Sequence, residues 1–272
     1  MESSERFPWI FHNKLSKTNL SIVLDYDETL VHSYNNMNDW DTLKILEDPK
    51  KIDLRERTYV LNIETDRVTG HEERMWGITR PHLDDFIKFC FMYFRVVIPW
   101  SAGVFGYVHQ VTEPIFKNNQ EPHAILTRSN CVGSTHKLEK PFWKMMKDVP
   151  GLDKYIELDG TSGPDNVKNV FILDDRRSAF SQNPNNGICI PVYEPNPTAE
   201  GLRKDDICLL QVMNWLLRPE VMNCKDVRQL DKSKIFTTAL PTTVPTTVQS
   251  KVPQVDISTR GVIGKKSVGL ST

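Results

Sequence analysis

The chain has 272 residues, 39% of them hydrophobic and 25% charged, and a formal net charge of −1. That length and balance fit a globular protein of one or two domains. A near-neutral charge excludes a global field for nucleic acid or a membrane surface, so any charged partner must meet a local patch.

Residues 1–19 open with MESSERFPWIFHNKLSK, which is charged and has no sustained apolar core; they read as an N-terminal extension and not as a signal peptide. Ser21–Leu24 is short and apolar, as a strand buried on both faces of a parallel sheet must be. Tyr34 to Arg80 then breaks the rhythm. TYVLNIE and ERMWGITR are strand-like around TDRVTGHE, which predicts a β-hairpin inserted over about 34–80. In LDDFIKFCFMYF, Leu83, Phe86, Ile87, Cys90 and Phe94 recur at helical spacing. RVVIPW comes next as a second buried strand. VFGYVHQV and KPFWKMMKDV read as helices, the second with Pro141 near its first turn. HAIL and NVFIL read as further strands, with the turn-rich loop DGTSGPDN (Asp159–Asn166) before the latter. DDICLLQVMNWLL is a last helix with Asp205 as its N-cap. Strands alternating with helices imply an α/β fold, a doubly wound parallel sheet covered on both faces.

From about Asp231 the pattern changes. PTTVPTTV, Pro241 to Val248, has no helical period, and residues 249–272 are rich in Ser, Thr, Val, Lys and Gly. Such a segment buries too little apolar surface to offset the entropy of ordering it. The expected organisation is a globular domain over 20–224 and a disordered tail over 225–272. The five cysteines are scattered, odd in number and lack a CxxC pair, which disfavours a disulfide framework or zinc site and suits a reducing compartment. The longest apolar run, Phe89 to Phe94, is closed by Arg95, far short of a membrane span. A cytoplasmic or nuclear location is expected, with no membrane and no direct nucleic-acid partner.

The first strand runs into a cluster of acids, IVLDYDETLVHS, with Asp25, Asp27 and Glu28 within four positions. A second strand, NVFIL, ends on Asp174 and Asp175. Ligands of doubly wound sheets bind beyond the carboxyl ends of the strands. An isolated Asp pair usually starts a turn, but two pairs, each after a buried strand, point to a hard divalent cation with oxygen ligands, Mg2+ at a phosphoryl site. An aspartate there can be a nucleophile. A second acid two residues on can protonate the leaving oxygen and later activate water. Thr29 is free to hold the loop through its hydroxyl.

DYDETLVHS resembles the D-x-D-x-T signature of the haloacid dehalogenase superfamily. More narrowly it is similar to the branch that dephosphorylates the C-terminal domain (CTD) of RNA polymerase II, whose usual form is D-L-D-E-T-L-V-H. TRPHLDDFIKF, VVIPWSAGVFGYVHQV, RSNCVGSTHKLEK and VFILDDRRSAFSQNPNNGI resemble further segments of that branch, in order, from about residue 20 to 218. The resemblance implies a haloacid-dehalogenase-like (HAD-like) doubly wound sheet with the hairpin as a substrate-binding lid, and a Mg2+-dependent protein serine/threonine phosphatase. Its partner would be a phosphoprotein or phosphopeptide such as the RNA polymerase II CTD. The compact form, without an added BRCT-type domain, suggests a source such as a large DNA virus.

Carried over, Asp25 is nucleophile and metal ligand. Asp27 is the general acid/base, its backbone carbonyl also on Mg2+, and Asp175 completes the metal sphere. Thr29, Ser101 and Lys140 serve the phosphate. Val104, Tyr107 and Arg128 fall in the substrate pocket, and Arg176 and Arg177, directly after Asp175, are expected at its mouth. The chain departs from the pattern at Tyr26 (usually Leu), at Ser101 (Thr is commoner), at Pro141 (usually Asp) and at Arg176-Arg177. Two other readings stand beside this one: a small-molecule phosphatase of the same superfamily, and a noncatalytic binding protein on the same fold.

Overall fold

A computed structural model describes residues 17–66, 71–134, 137–163 and 165–237. In chain order its elements are β1 (Ser21–Leu24), β2 (Val31–Tyr34), α1 (Met37–Leu43), α2 (Ile52–Arg55), β3 (Thr58–Asp66), β4 (His71–Thr79), α3 (Leu83–Tyr93), β5 (Val96–Pro99) and α4 (Phe105–Phe116). They continue with β6 (Val132–Ser134), β7 (Lys137–Glu139), α5 (Phe142–Asp148), β8 (Val170–Asp174), β9 (Gly187–Cys189), α6 (Ala199–Arg203), α7 (Cys208–Leu216) and α8 (Pro219–Met222).

The centre is a parallel sheet in the order β5-β1-β8-β9. Ile22 lies between Val97 and Phe171, and Val23 between Ile98 and Ile172. Successive strand residues point to opposite faces, and both faces are covered. Ile22, Leu24, Val97, Phe171 and Leu173 pack in one core with α3, α4 and α7. Val23, Val96, Ile98, Val170 and Ile172 pack in another with Phe142 and Met145 of α5. On α7, Leu209, Val212, Met213 and Leu216 are fully buried, each worth about 1.5–3 kcal/mol of transfer free energy.

Four expectations are corrected. The helix expected from Asp205 is α7, which begins at Cys208 and is followed by the short α8; its N-cap is Ile207, and Asp206, not Asp205, receives the Cys208 N–H (3.0 Å). HAIL is not a strand: beside β5 it has His123 N–H to Val97, Val97 N–H to His123 Nδ1, Leu126 N–H to Pro99 and one isolated bridge from Leu126 to Trp100, too few for a ladder. The insert is more than a hairpin. β3 and β4 form the expected hairpin, but β4 also pairs β2, and α1 and α2 build a third core with Trp40, Leu54, Trp76 and Ile78. Finally, the boundary at Cys224 is too early. Val227 and Ile235 are 0% and 2% exposed in the core that holds α7, and Lys232 Nζ donates to the carbonyls of Val227 and Asn185. The repeat PTTVPTTV and the rest of 238–272 lie outside the described residues. Among the described residues no helix is long and apolar enough to cross a membrane.

Candidate active site

β1 ends in a tight loop. The Tyr26 carbonyl accepts the N–H groups of Thr29, Leu30 and Val31, and Glu28 takes a left-handed conformation with φ 57°. For a residue other than glycine that costs about 1–2 kcal/mol, and it lets Asp25 and Asp27 face one region from either side of a buried Tyr26. The Tyr26 hydroxyl lies 2.8 Å from Thr112 Oγ1 on α4, so the larger residue at the usual Leu position gains a buried partner.

Lys140 arrives at Asp25 from the far end of a two-stranded ribbon, β6-β7. Its Nζ lies 2.5 Å from Asp25 Oδ1 and 2.7 Å from Asp174 Oδ2. Pro141 caps α5 without displacing it. Thr29 Oγ1 donates to Asp25 Oδ2 (3.0 Å) and accepts from Asp175 N–H (3.0 Å). Asp174 Oδ1 also accepts the Arg176 N–H. Burial, and then the neighbouring Asp174, push the Asp25 carboxyl well above the ordinary carboxylate range against the pull of Lys140. Burial pulls Lys140 down, but Asp174 and Asp25 outweigh it and hold the ammonium above its ordinary value. Burial and Asp174 push Asp175 up to about 6.

Asp27 is held differently. Ser101 Oγ donates to its Oδ2 (2.9 Å) and accepts from Gly103 N–H. Tyr107 donates to its Oδ1. Burial raises the Asp27 carboxyl, and those two bonds pull against it. Beside Asp27 opens a cleft of about 710 Å³, walled by Ile63, Arg74 and Met75 of the insert and by Val104, Tyr107 and Arg128 opposite.

Asp25, Asp174 and Asp175 each bring a carboxylate oxygen within 4.8 Å of the others; among the described residues no other such acidic, His or Cys group occurs. Asp175 Oδ1 is buried without a hydrogen-bond partner. Two of the three carboxylates thus share one ammonium, and the third has an oxygen with nothing to bind. This donor set fits a hard divalent cation. Asp174, which its place at the end of the second strand put among the converging acids but which the resemblance did not name as a ligand, belongs to this set. The Asp27 carboxylate is turned toward Ser101 and Tyr107, so its backbone carbonyl is what it could offer an ion.

The other expected residues divide. Thr29 does not face a phosphate: it is fully buried and both roles of its hydroxyl are taken by Asp25 and Asp175. Tyr107 lines the cleft but also binds Asp27. Val104 and Arg128 line the cleft. Arg176 and Arg177 are exposed and do not line it, because the chain turns away at Arg176 into a 3-10 turn over Arg177–Phe180. Sequence reasoning gave no role to Ser33 or Tyr59, whose hydroxyls lie 2.9 Å apart behind Tyr107.

Paired acids lie beyond the carboxyl ends of two adjacent parallel strands of an α/β fold, β1 and β8, with the β-insert following β1. The chain belongs to the NLI interacting factor-like phosphatase family, phosphoric monoester hydrolases whose family model matches residues 20–228. No curated protein matches it. Among solved structures it is similar to the fission yeast RNA polymerase II CTD phosphatase Fcp1 bound to beryllium fluoride, at 19% identity and a TM-score of 0.48, over 71% of this chain and 46% of that one. It is also similar to a structure of Fcp1 described as an essential RNA polymerase II CTD phosphatase, at 17% identity and a TM-score of 0.48, over 79% and 54%. The chain therefore spans about half the length of these solved relatives.

Proposed function

We propose that this chain is a Mg2+-dependent protein serine/threonine phosphatase that works through an aspartyl phosphate on Asp25. The observation that carries the reading is Asp25 fixed between Lys140 and Thr29, two residues from an Asp27 fixed between Ser101 and Tyr107. An Asp25 carboxylate oxygen attacks phosphorus. The serine or threonine oxygen leaves with the electrons of its bond to phosphorus and takes the proton of the Asp27 carboxyl. The Asp27 carboxylate then takes a proton from water as the water oxygen attacks phosphorus, and phosphate departs, returning Asp25 to a carboxylate. Throughout, Lys140 offsets charge on Asp25 and on the phosphoryl oxygens.

Asp25, Asp175 and the Asp27 carbonyl would hold Mg2+, with Asp174 beside them; the ion supplies charge that screens the repulsion between Asp25 and an incoming phosphate. The cleft favours a polypeptide over a small metabolite. It lies beside the acids, with apolar Ile63, Met75 and Val104 along its walls and Arg74 and Arg128 among charged residues that also include Glu28 and Glu73. An extended phosphopeptide suits it, and the motif resemblance makes the RNA polymerase II CTD the first to test. A cytoplasmic or nuclear location goes with that substrate. Phosphate release from CTD phosphopeptides and small phosphate esters should require Mg2+ and Asp25. Full activity in EDTA, or in Asp25→Asn, overturns the reading.

A further inference from the structure

The inserted sheet carries a row of hydroxyls that ends on Asp27. Ser33 of β2 and Tyr59 of β3 both pair with Gly77 on the strand between them. A Cβ at residue 77 would lie 2.4 Å from Tyr59 Cζ and 2.5 Å from its hydroxyl oxygen. Only glycine therefore lets the Tyr59 ring lie across the middle strand and bring its hydroxyl to 2.9 Å from Ser33 Oγ. Ser33 Oγ is in turn 2.9 Å from the Tyr107 hydroxyl, and Tyr107 donates to Asp27 Oδ1. Each hydroxyl has one proton to give, so while Asp27 is a carboxylate and only accepts, Tyr59 donates to Ser33, Ser33 to Tyr107, and Tyr107 to Asp27. Ser101 holds the other Asp27 oxygen from the end of β5. Both direct partners of the carboxyl, Ser101 and Tyr107 of α4, thus belong to the core, and the inserted sheet reaches it through Tyr107.

We propose that Tyr59, Ser33 and Tyr107 are positioning residues that aim the Asp27 carboxyl at the leaving oxygen, so that the inserted sheet sets the geometry of the acid as well as walling the cleft. The role rests on the phosphatase reading above. A chain of hydroxyls that merely stitches the insert to the core would affect stability and treat all phosphate esters alike. A chain that aims the acid matters most where the leaving oxygen needs a proton: an alkyl ester such as phosphoserine depends on it, whereas p-nitrophenolate leaves without it.

The test compares kcat and KM of the full chain on a phosphoserine peptide and on p-nitrophenyl phosphate. Tyr59→Phe, Ser33→Ala and Gly77→Ala should each lower the alkyl-to-aryl ratio of kcat, by about tenfold where the chain is cut at Ser33. KM for the peptide should stay within about twofold, and Ser33→Thr, which keeps the hydroxyl, should recover most of the ratio. Tyr59→Phe removes a single oxygen and decides the matter if Gly77→Ala fails to fold. An Asp25-dependent wild type whose ratio none of these variants moves overturns this proposal alone. A wild type inactive on both esters overturns the phosphatase reading and this role with it.

Discussion

Two buried cations flank the loop after β1, and their surroundings differ. Arg80, 0% exposed, forms a bidentate pair with Asp206 (2.9 and 2.8 Å) and gives its remaining bonds to the carbonyls of Thr29 and Pro191. One positive group meets one negative group, and four of the five N–H donors are used. Lys140, 1% exposed, meets Asp25 and Asp174, with Asp175 in the same cluster and one of its oxygens unpartnered. A balanced pair ties elements together. An unbalanced buried cluster costs the fold free energy, and such clusters gather where chemistry needs perturbed groups. The same loop is thus anchored from one side and charged from the other.

The sharpest way to break this contrast is to remove one acid from the Lys140 side. Asp25→Asn should lower kcat by about a thousandfold or more while its urea midpoint stays level or rises, because a carboxylate facing Asp174 is gone. A midpoint that falls as steeply as on loss of Arg80 would make both corners structural. Arg80→Met should cost about 3–5 kcal/mol in urea unfolding, since it strands Asp206 and two carbonyls, and its folded fraction should keep far more kcat than Asp25→Asn. Ending the chain after Cys224 removes the buried Val227 and Ile235. That should cost about 3 kcal/mol or more; ending it after Leu240 should leave the midpoint in place.

The Arg80 corner also predicts a pH response. Burial alone would raise the Asp206 carboxyl, but its bonds with Arg80 outweigh this and hold it below its ordinary value. Its contribution is therefore present above the unfolded carboxyl's pKa, about 4, and is lost as pH falls through the lower folded value. Urea titrations at stepped pH should show wild-type stability declining more steeply below about pH 5 than that of Asp206→Asn; parallel declines would deny the pair its role. The smallest effect belongs to Arg176 and Arg177. Exposed and outside the cleft, they should change kcat/KM on singly and doubly phosphorylated peptides by at most about 1 kcal/mol when both become Ala. A larger loss, weakened by salt, would bring them back to the site mouth.

Local pattern made much of this legible. The strands Ser21–Leu24, Val96–Pro99 and Val170–Asp174 are apolar runs too short for helices, and their common burial is a consequence of that. Asp25 and Asp27 are two residues apart in the sequence, so their pairing could be read directly. Lys140 could not be placed in that way. It lies 115 residues from Asp25, and only the resemblance singled it out. Arg80 and Asp206, 126 residues apart, carried no signal, because no periodicity marks a buried ion pair. α1 and α2 were hidden because their buried residues, Trp40, Leu43 and Leu54, are too sparse to show a period. The Tyr59–Ser33–Tyr107 chain depends on strand register across Gly77, which a sequence pattern leaves open.

That Asp25 accepts the phosphoryl group is tested most directly by trapping it there. Asp27→Asn protein, mixed with an aryl phosphate and Mg2+ and quenched in acid, should carry a phosphoryl adduct on the peptide that contains Asp25 and on no other peptide, and Asp25→Asn should carry none. An adduct on a different residue, or wild-type turnover with no adduct in the trapped protein, would contradict the assignment.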